Sequence, residues 1–316
     1  MTARVIAIHN FKGGVGKTTL TAVLGLGLAV NHRVLLIDFD PQMSLTQIFV
    51  REERRKEILQ QSLKPELDKS AYALIRQSPD VIVENFTHVT KTSKDELKVS
   101  LDIIPGSYIS TFYAMFKGYF PMFDEFSLKK ELENFKDRYD YILIDTSPSD
   151  VVTIKPILRA SDYLIIPEDG TTEAFNAMLI FIKEALPKHI WSDFNNPRIL
   201  GVVLTKVRRN SIRLLSEHNK LLLDEIVGNA EIMEHVSDPP YFGADSDHPE
   251  DYILSSNKEY LSDLIWRNES KAPIAEVFDK LFIVNEKLQP DLYSYFYKVF
   301  YKLPEEVVKR VKIWEL

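Results

Sequence analysis

The segment FKGGVGKTT, residues 11–19, gathers the residue types that suit one chemistry best. Gly13, Gly14 and Gly16 let backbone N–H groups approach an anion without Cβ clashes, and Val15 completes the turn between them. The segment lies after an apolar run and before a helical one, so a helix N-terminus faces the same anion. Such a loop suits a polyphosphate. Lys17 supplies charge between β- and γ-phosphates, Thr18 offers a hydroxyl to a magnesium ion bridging them, and Thr19 can donate to the α-phosphate. In the ordinary pattern G-x-x-x-x-G-K-[ST] the first glycine falls at Phe11, and a lysine, Lys12, follows it.

A loop of this kind needs a strand before it and a helix after it. Arg4 to His9 is a short apolar run, and Lys17 to Val30 reads as helix. Further runs rich in Val, Ile and Leu lie at Arg33 to Ile37, Leu101 to Ile104, Tyr141 to Ile144, Tyr163 to Ile166 and Ile199 to Leu204. Helical stretches at Glu52 to Gln61, Ser127 to Phe135, Thr172 to Ala185 and Ile212 to Ile226 separate many of them. Apolar strands alternating with helices predict an α/β fold, a doubly wound, mostly parallel sheet flanked by helices. A main domain is expected over residues 1–285, with SDPPYFGADSDHPEDY, about 237–252, as an exposed acidic loop insertion. Residues 286–316 read as an aromatic-rich helical C-terminal extension, with a helix start at Pro304, Glu305 and Glu306.

Composition narrows the function. The chain has 316 residues, 45% hydrophobic and 27% charged, with a net charge of −7, so partner polyanions need a local basic patch. The absence of cysteine removes disulfides, thiolate nucleophiles, cysteine-ligated zinc and iron–sulfur clusters. The seven histidines show no metal-ligand spacing. The first residues lack the ~7 to 15-residue apolar core of a secretory signal, and no later run reaches the ~18 residues of a membrane span, which predicts a cytoplasmic protein.

The lysine that opens KGGVGKTT resembles the signature lysine of the deviant Walker A P-loop ATPases, and within that group the sequence resembles the ParA-type partition ATPases. The likeness runs over roughly residues 4–285. LLIDFDPQMSLT is similar to their D-x-D-P-Q segment, YILIDTSPS to their Walker B strand, and SDYLIIPEDGTTEA, GVVLTKVRRNS and ESKAPIAEV to later stretches. Pro41 and Gln42 stand where related bacterial tyrosine kinases carry an arginine, and lack of cysteine separates the chain from the cluster-bearing iron protein of the group.

The resemblance implies ATP and Mg2+ as ligands, ATP hydrolysis, and a homodimer that forms on ATP binding. It also implies non-specific binding of duplex DNA by that dimer, nucleoid association, and a ParB-like centromere-binding or adaptor protein that stimulates hydrolysis. Lys12 is then expected to reach across a two-fold interface to the partner's nucleotide, and Thr205 and Lys206 to lie near the adenine. At the ends of apolar runs, Asp145 is suited to hold a magnesium-bound water and Asp38 to reach the same magnesium shell. Asp40, two residues on, could orient the attacking water in line with the γ-phosphate.

For DNA, the basic cluster Lys206, Arg208, Arg209 and Arg213 is the candidate surface, since non-specific binding needs only several spaced cations that a dimer doubles. A solvated basic turn is the alternative for the same residues. A MinD-like or cargo-positioning ATPase that binds a membrane or protein scaffold uses the same switch without DNA. The final helix, with Val307, Val308, Val311 and Trp314 against Lys309, Arg310 and Lys312, is the segment that reading would use, although Glu305, Glu306 and Glu315 weaken it. A phosphotransferase or amidating ligase is a third use of the scaffold.

Overall fold

The computed structural model describes residues 2–61, 68–91, 96–108, 124–148, 153–192, 196–207, 212–247, 252, 254–255 and 301–315. Strands β1 (Arg4–Ile8), β2 (Val34–Asp38), β3 (Glu84–Lys91), β4 (Glu96–Ile104), β5 (Tyr141–Asp145), β6 (Tyr163–Glu168), β7 (Arg198–Val207) and the two-residue β8 (Leu254–Ser255) form a sheet in the order β3-β4-β2-β5-β1-β6-β7-β8. Every pairing is parallel except β3 with β4. The helices are α1 (Lys17–Leu28), α2 (Ser44–Phe49), α3 (Glu52–Gln61), α4 (Ala71–Ile75), α5 (Ser127–Lys136), α6 (Ile154–Ala160), α7 (Thr172–Ile180), α8 (Ile212–Ile226), α9 (Ala230–Met233) and α10 (Leu303–Glu315).

The central strands are apolar throughout because both faces of the sheet are covered. Ile6 and Ile8 of β1 join Leu36, Leu143 and Leu24 in a core beneath α1 and α10, whereas Val5 and Ala7 join Leu35, Ile37, Ile142 and Phe181 in the core on the other face. α1 lies so close to the sheet that a Cβ at Gly25 would come within 2.7 Å of Leu36 Cδ2. Strand order places β1 between β5 and β6, with β2 beyond β5, so the ends of β1, β2 and β5 open onto the crevice where doubly wound folds bind ligands.

Several elements depart from the sequence reading. β4 begins at Glu96, not Leu101, and pairs with β3 in an edge hairpin, Phe86 opposite Leu101. Polar residues in that hairpin, Asn85 and Thr87 among them, face solvent, so it carries no continuous apolar run. Beyond α7 the chain continues in wider π-helical turns through Phe181–Ala185 and Pro187–Trp191, past the expected end at Ala185.

The stretch expected as an exposed loop after residue 236 is instead buried along much of its first half. Val236 and Tyr241 bridge Ile199 and Val202 of β7 in parallel fashion, and Tyr241 and Phe242 are fully buried. Acidic residues are the exposed part: Asp238, Asp245 and Asp247. α10 locks this strap. Arg310, itself buried, donates to the carbonyls of Leu200 (2.6 Å), Pro239 (3.0 Å) and Tyr241 (3.3 Å), and its guanidinium lies 4.2 Å from the centre of the Phe242 ring. Val307 and Val311 of α10 are buried in the core with Leu303, so the apolar stripe of this helix faces the domain. Residues 286–300 lie outside the described set. Among the described residues, no helix is long and apolar enough to cross a membrane.

Candidate functional site

The loop from His9 to Gly16 joins β1 to α1. Gly14 (φ 75°) and Gly16 (φ 90°) adopt left-handed backbone, which a Cβ would strain, and this turns the chain into the helix at Lys17. Lys17 is buried, and its ammonium donates to the carbonyls of Asn10 and Lys12, each at 2.9 Å, spanning the loop from inside. Burial lowers its pKa from 10.5 to about 8, with Asp145 and Asp40 opposing that shift. Asn10 braces the loop: its Oδ1 accepts the Lys12 N–H at 2.9 Å, and its Nδ2 donates to Pro167 O on β6 at 2.8 Å. Gly13 and Gly14 are exposed, Thr18 and Thr19 half-buried, and Val15 buried.

Asp38 and Asp145 are register partners at the ends of β2 and β5, and both are fully buried. Burial pushes the Asp38 carboxyl up to about 7; hydrogen bonds from Thr46 oppose the shift and the charge of Asp40 adds to it. Asp145 is also raised, first by burial and then by the charge of Asp38, while a hydrogen bond from the Thr18 hydroxyl works the other way. Thr21 Oγ1 lies 3.4 Å from its Oδ1, and its Oδ2 has no hydrogen-bond partner among the described residues. A buried, unpartnered carboxylate oxygen beside a threonine hydroxyl is a hard-oxygen pair that fits a magnesium ion. Asp40 is half-buried, its Oδ1 accepting the Gln42 N–H at 3.0 Å.

Lys12 is held within its own chain. Its Nζ lies 2.8 and 3.1 Å from the oxygens of Asp169 and 2.6 Å from Thr171 Oγ1, in the turn after β6. Burial works to raise the Asp169 pKa, but the hydrogen bonds from Lys12 and Thr171 outweigh it and hold the carboxyl below its ordinary value. His9 is buried behind the loop and its pKa falls to about 3, through burial and then the charge of Lys17. Since the Thr146 hydroxyl donates to Ile8 O at 2.8 Å, it accepts from His9 Nδ1 at 2.8 Å, which fixes the neutral tautomer and leaves Nε2 without a partner among the described residues. Edge-to-face contacts among His9, Phe11 and Phe181, at 4.8 to 5.2 Å between ring centres, pack the loop's start.

The end of β7 closes the site. Thr205 Oγ1 donates to Val15 O at 2.5 Å and contacts Glu168 O at 3.2 Å, and the Lys206 ammonium donates to Gly14 O. The structure therefore brings Lys12, Lys17, Thr18, Asp38, Asp145, Thr205 and Lys206 around one loop. Asn10, Thr46 and Asp169 belong to the same constellation and were not singled out from sequence. The DPQ, P-E-D-G-T and H-N segments that contain or adjoin them were in view, but nothing in their residue types announced the contacts.

A sequence profile described as an AAA domain matches residues 3–189. The sporulation initiation inhibitor protein Soj of Bacillus subtilis (strain 168) is 33% identical over 230 residues, 71% of this chain and 81% of Soj. The solved structure of pNOB8 ParA is 59% identical, covers 98% of this chain and 99% of that one, and superposes with a TM-score of 0.90. The chain belongs to the ParA family of partition ATPases. A second structure, pNOB8 ParA bound to nonspecific DNA, is 55% identical over the same shares with a TM-score of 0.84.

In this ParA-family ATPase the basic candidates for DNA are only partly within the described residues. Arg208 and Arg209 lie outside them. Arg213, on α8, is exposed and pairs with Glu217 one turn on at 2.7 Å. Lys206 is exposed but turned toward the phosphate loop.

Proposed function

We propose that this chain is an ATP-driven dimeric switch that binds duplex DNA without sequence preference and is reset by partner-stimulated hydrolysis of ATP to ADP and phosphate. The observation that carries the reading is the pairing of two lysines on one loop, Lys17 buried inside it and Lys12 at its rim, beside an unpartnered Asp145 oxygen. Lys17 and the loop N–H groups bind the phosphates, and Thr18 and Asp145 would hold Mg2+, which when bound would supply charge neutralisation for the phosphates. Asp40, at the mouth of the site, orients the attacking water. Lys12 moves from Asp169 to the nucleotide of the second protomer, so that charge stabilisation is complete only in the dimer. The ligand itself is then part of the interface, and hydrolysis dissolves it.

DNA binding is supported by the DNA-bound relative, which matches this chain over nearly its whole length. Arg208, Arg209 and Arg213 are the residues we assign to it, with a ParB-like adaptor as the partner that accelerates hydrolysis. A membrane-binding role gains little support from α10, whose Leu303, Val307 and Val311 are taken up by the domain core and which leaves Ile313 exposed. The test is sedimentation of the wild-type chain with Mg2+ and ATP, ADP or neither, alongside phosphate release. The reading requires a dimer with ATP alone and phosphate release without a second substrate; a monomer under all conditions contradicts it.

A further inference from the structure

Asp38 and Asp145 sit side by side and share their burial, yet their oxygens are used differently. Asp145 Oδ2 has no partner among the described residues. Both oxygens of Asp38 are occupied by the chain that follows: Oδ1 accepts the Asp40 N–H at 3.0 Å, and Oδ2 accepts the Thr46 N–H at 2.8 Å and the Thr46 hydroxyl at 2.6 Å. The Thr46 hydroxyl in turn accepts the Gly106 N–H at 2.9 Å. Gly106 is pressed against the same turn, for a Cβ there would meet Asp40 O at 3.0 Å and Asp38 Cγ at 3.1 Å. Met43, at φ 56°, bends the chain back so that its N–H bonds Asp40 O at 2.8 Å.

These contacts form one closed system running from β2 to the turn, to α2, to the segment after β4, and back to β2. We infer that Asp38, itself held by Thr46 with Gly106 behind it, is a positioning residue that fixes Asp40 through the Asp40 N–H, and that the metal is held by Asp145 and not by Asp38. This revises the sequence-based assignment of Asp38 to the magnesium shell, and it rests on the nucleotide reading above. The physical reason is commitment: a carboxylate gripped by three donors orients the backbone that donates to it, and drawing it toward a cation would loosen Asp40. A hydroxyl is required at position 46 because it must donate to Asp38 and accept from Gly106 at the same time.

The experiment compares Asp38→Asn, Thr46→Val, Thr46→Ser and Asp145→Asn with the wild-type chain, reading Mn2+ binding in the presence of ATP by electron paramagnetic resonance, and phosphate release. Asp145→Asn is expected to weaken Mn2+ binding by about tenfold or more, whereas Asp38→Asn and Thr46→Val leave it within about threefold. In those two variants kcat falls by about 100-fold with little change in KM, the effect of a misplaced water-orienting group. Thr46→Ser restores turnover, since it returns the hydroxyl.

A fall in Mn2+ affinity in Asp38→Asn as deep as in Asp145→Asn would overturn the assignment, and so would undiminished turnover in Thr46→Val. If Asp38→Asn does not fold, the near-isosteric Thr46→Val carries the same test. Failure of the wild-type chain to bind Mn2+ with ATP would overturn the nucleotide reading itself, and it is visible before any variant is made.

Discussion

The Lys12 ammonium lies 2.8 Å from the Asp169 carboxylate of the same protomer, with Thr171 Oγ1 at 2.6 Å completing the grip. A lysine that is to serve a second protomer must first leave this pair. The two side chains are 28% and 13% exposed, so the contact is partly screened and contributes about 1 kcal/mol. Each protomer of a two-fold dimer gives up one such pair, so Asp169→Asn is expected to tighten ATP-dependent dimerisation by about thirtyfold, the equivalent of about 2 kcal/mol. Sedimentation at graded ATP measures it. Weaker dimerisation in Asp169→Asn would mean that the pair supports the active form.

Lys12→Ala should separate binding from turnover. Nucleotide affinity of the monomer is expected to hold, because Lys17 and the loop N–H groups remain, while dimerisation and phosphate release are lost. Phosphate release equal to wild type would remove the cross-interface role.

The pH dependence of nucleotide binding follows from Lys17. Its pKa in the folded chain is lowered to about 8, below the ordinary 10.5, so the ammonium is only about half charged at pH 8 and loses its charge as pH rises further. Phosphate oxygens favour the charged form, so ATP binding above pH 8 must take up a proton, and affinity declines as pH rises through and beyond that value. Calorimetry in two buffers of different ionisation enthalpy counts the proton. Uptake that is the same at pH 7 and pH 9 would rule Lys17 out as its source.

Much of this was legible in the sequence, for physical reasons. β1, β2, β5 and β6 are buried on both faces, so their residues had to be continuously apolar, and the phosphate loop had to carry glycine where φ is positive. Leu101 to Ile104 marked the second half of β4, but β3 and the start of β4 were not legible because β3 is an edge strand whose polar residues dilute the pattern. The segment 236–243 misled because Asp, Pro, Gly and Ser read as loop, while two adjacent aromatic residues, Tyr241 and Phe242, carry it into the core. Asn10, Thr46 and Asp169 complete the site through hydrogen bonds to Pro167, Gly106 and Lys12, across sequence separations that no local spacing encodes.

Arg310 should matter to folding and not to catalysis. It is buried, and three carbonyls depend on its guanidinium, so Arg310→Met leaves acceptors of β7 and the strap without donors and is expected to cost about 2 to 4 kcal/mol. Urea unfolding measures the loss, with ATP affinity of the folded fraction unchanged. Stability equal to wild type would show that α10 is not part of the cooperative unit.

The switch as a whole is tested most directly by duplex-DNA binding of Asp40→Ala, with ATP and with ADP, across a salt series. Loss of the water-orienting carboxylate should stall the chain after ATP binding and accumulate the dimer. The account predicts binding that requires ATP, ignores DNA sequence and weakens steeply as salt rises, since each phosphate contact releases counterions. An ATP-dependent dimer that leaves DNA unbound at low salt, or binding that is equal with ADP, would contradict it.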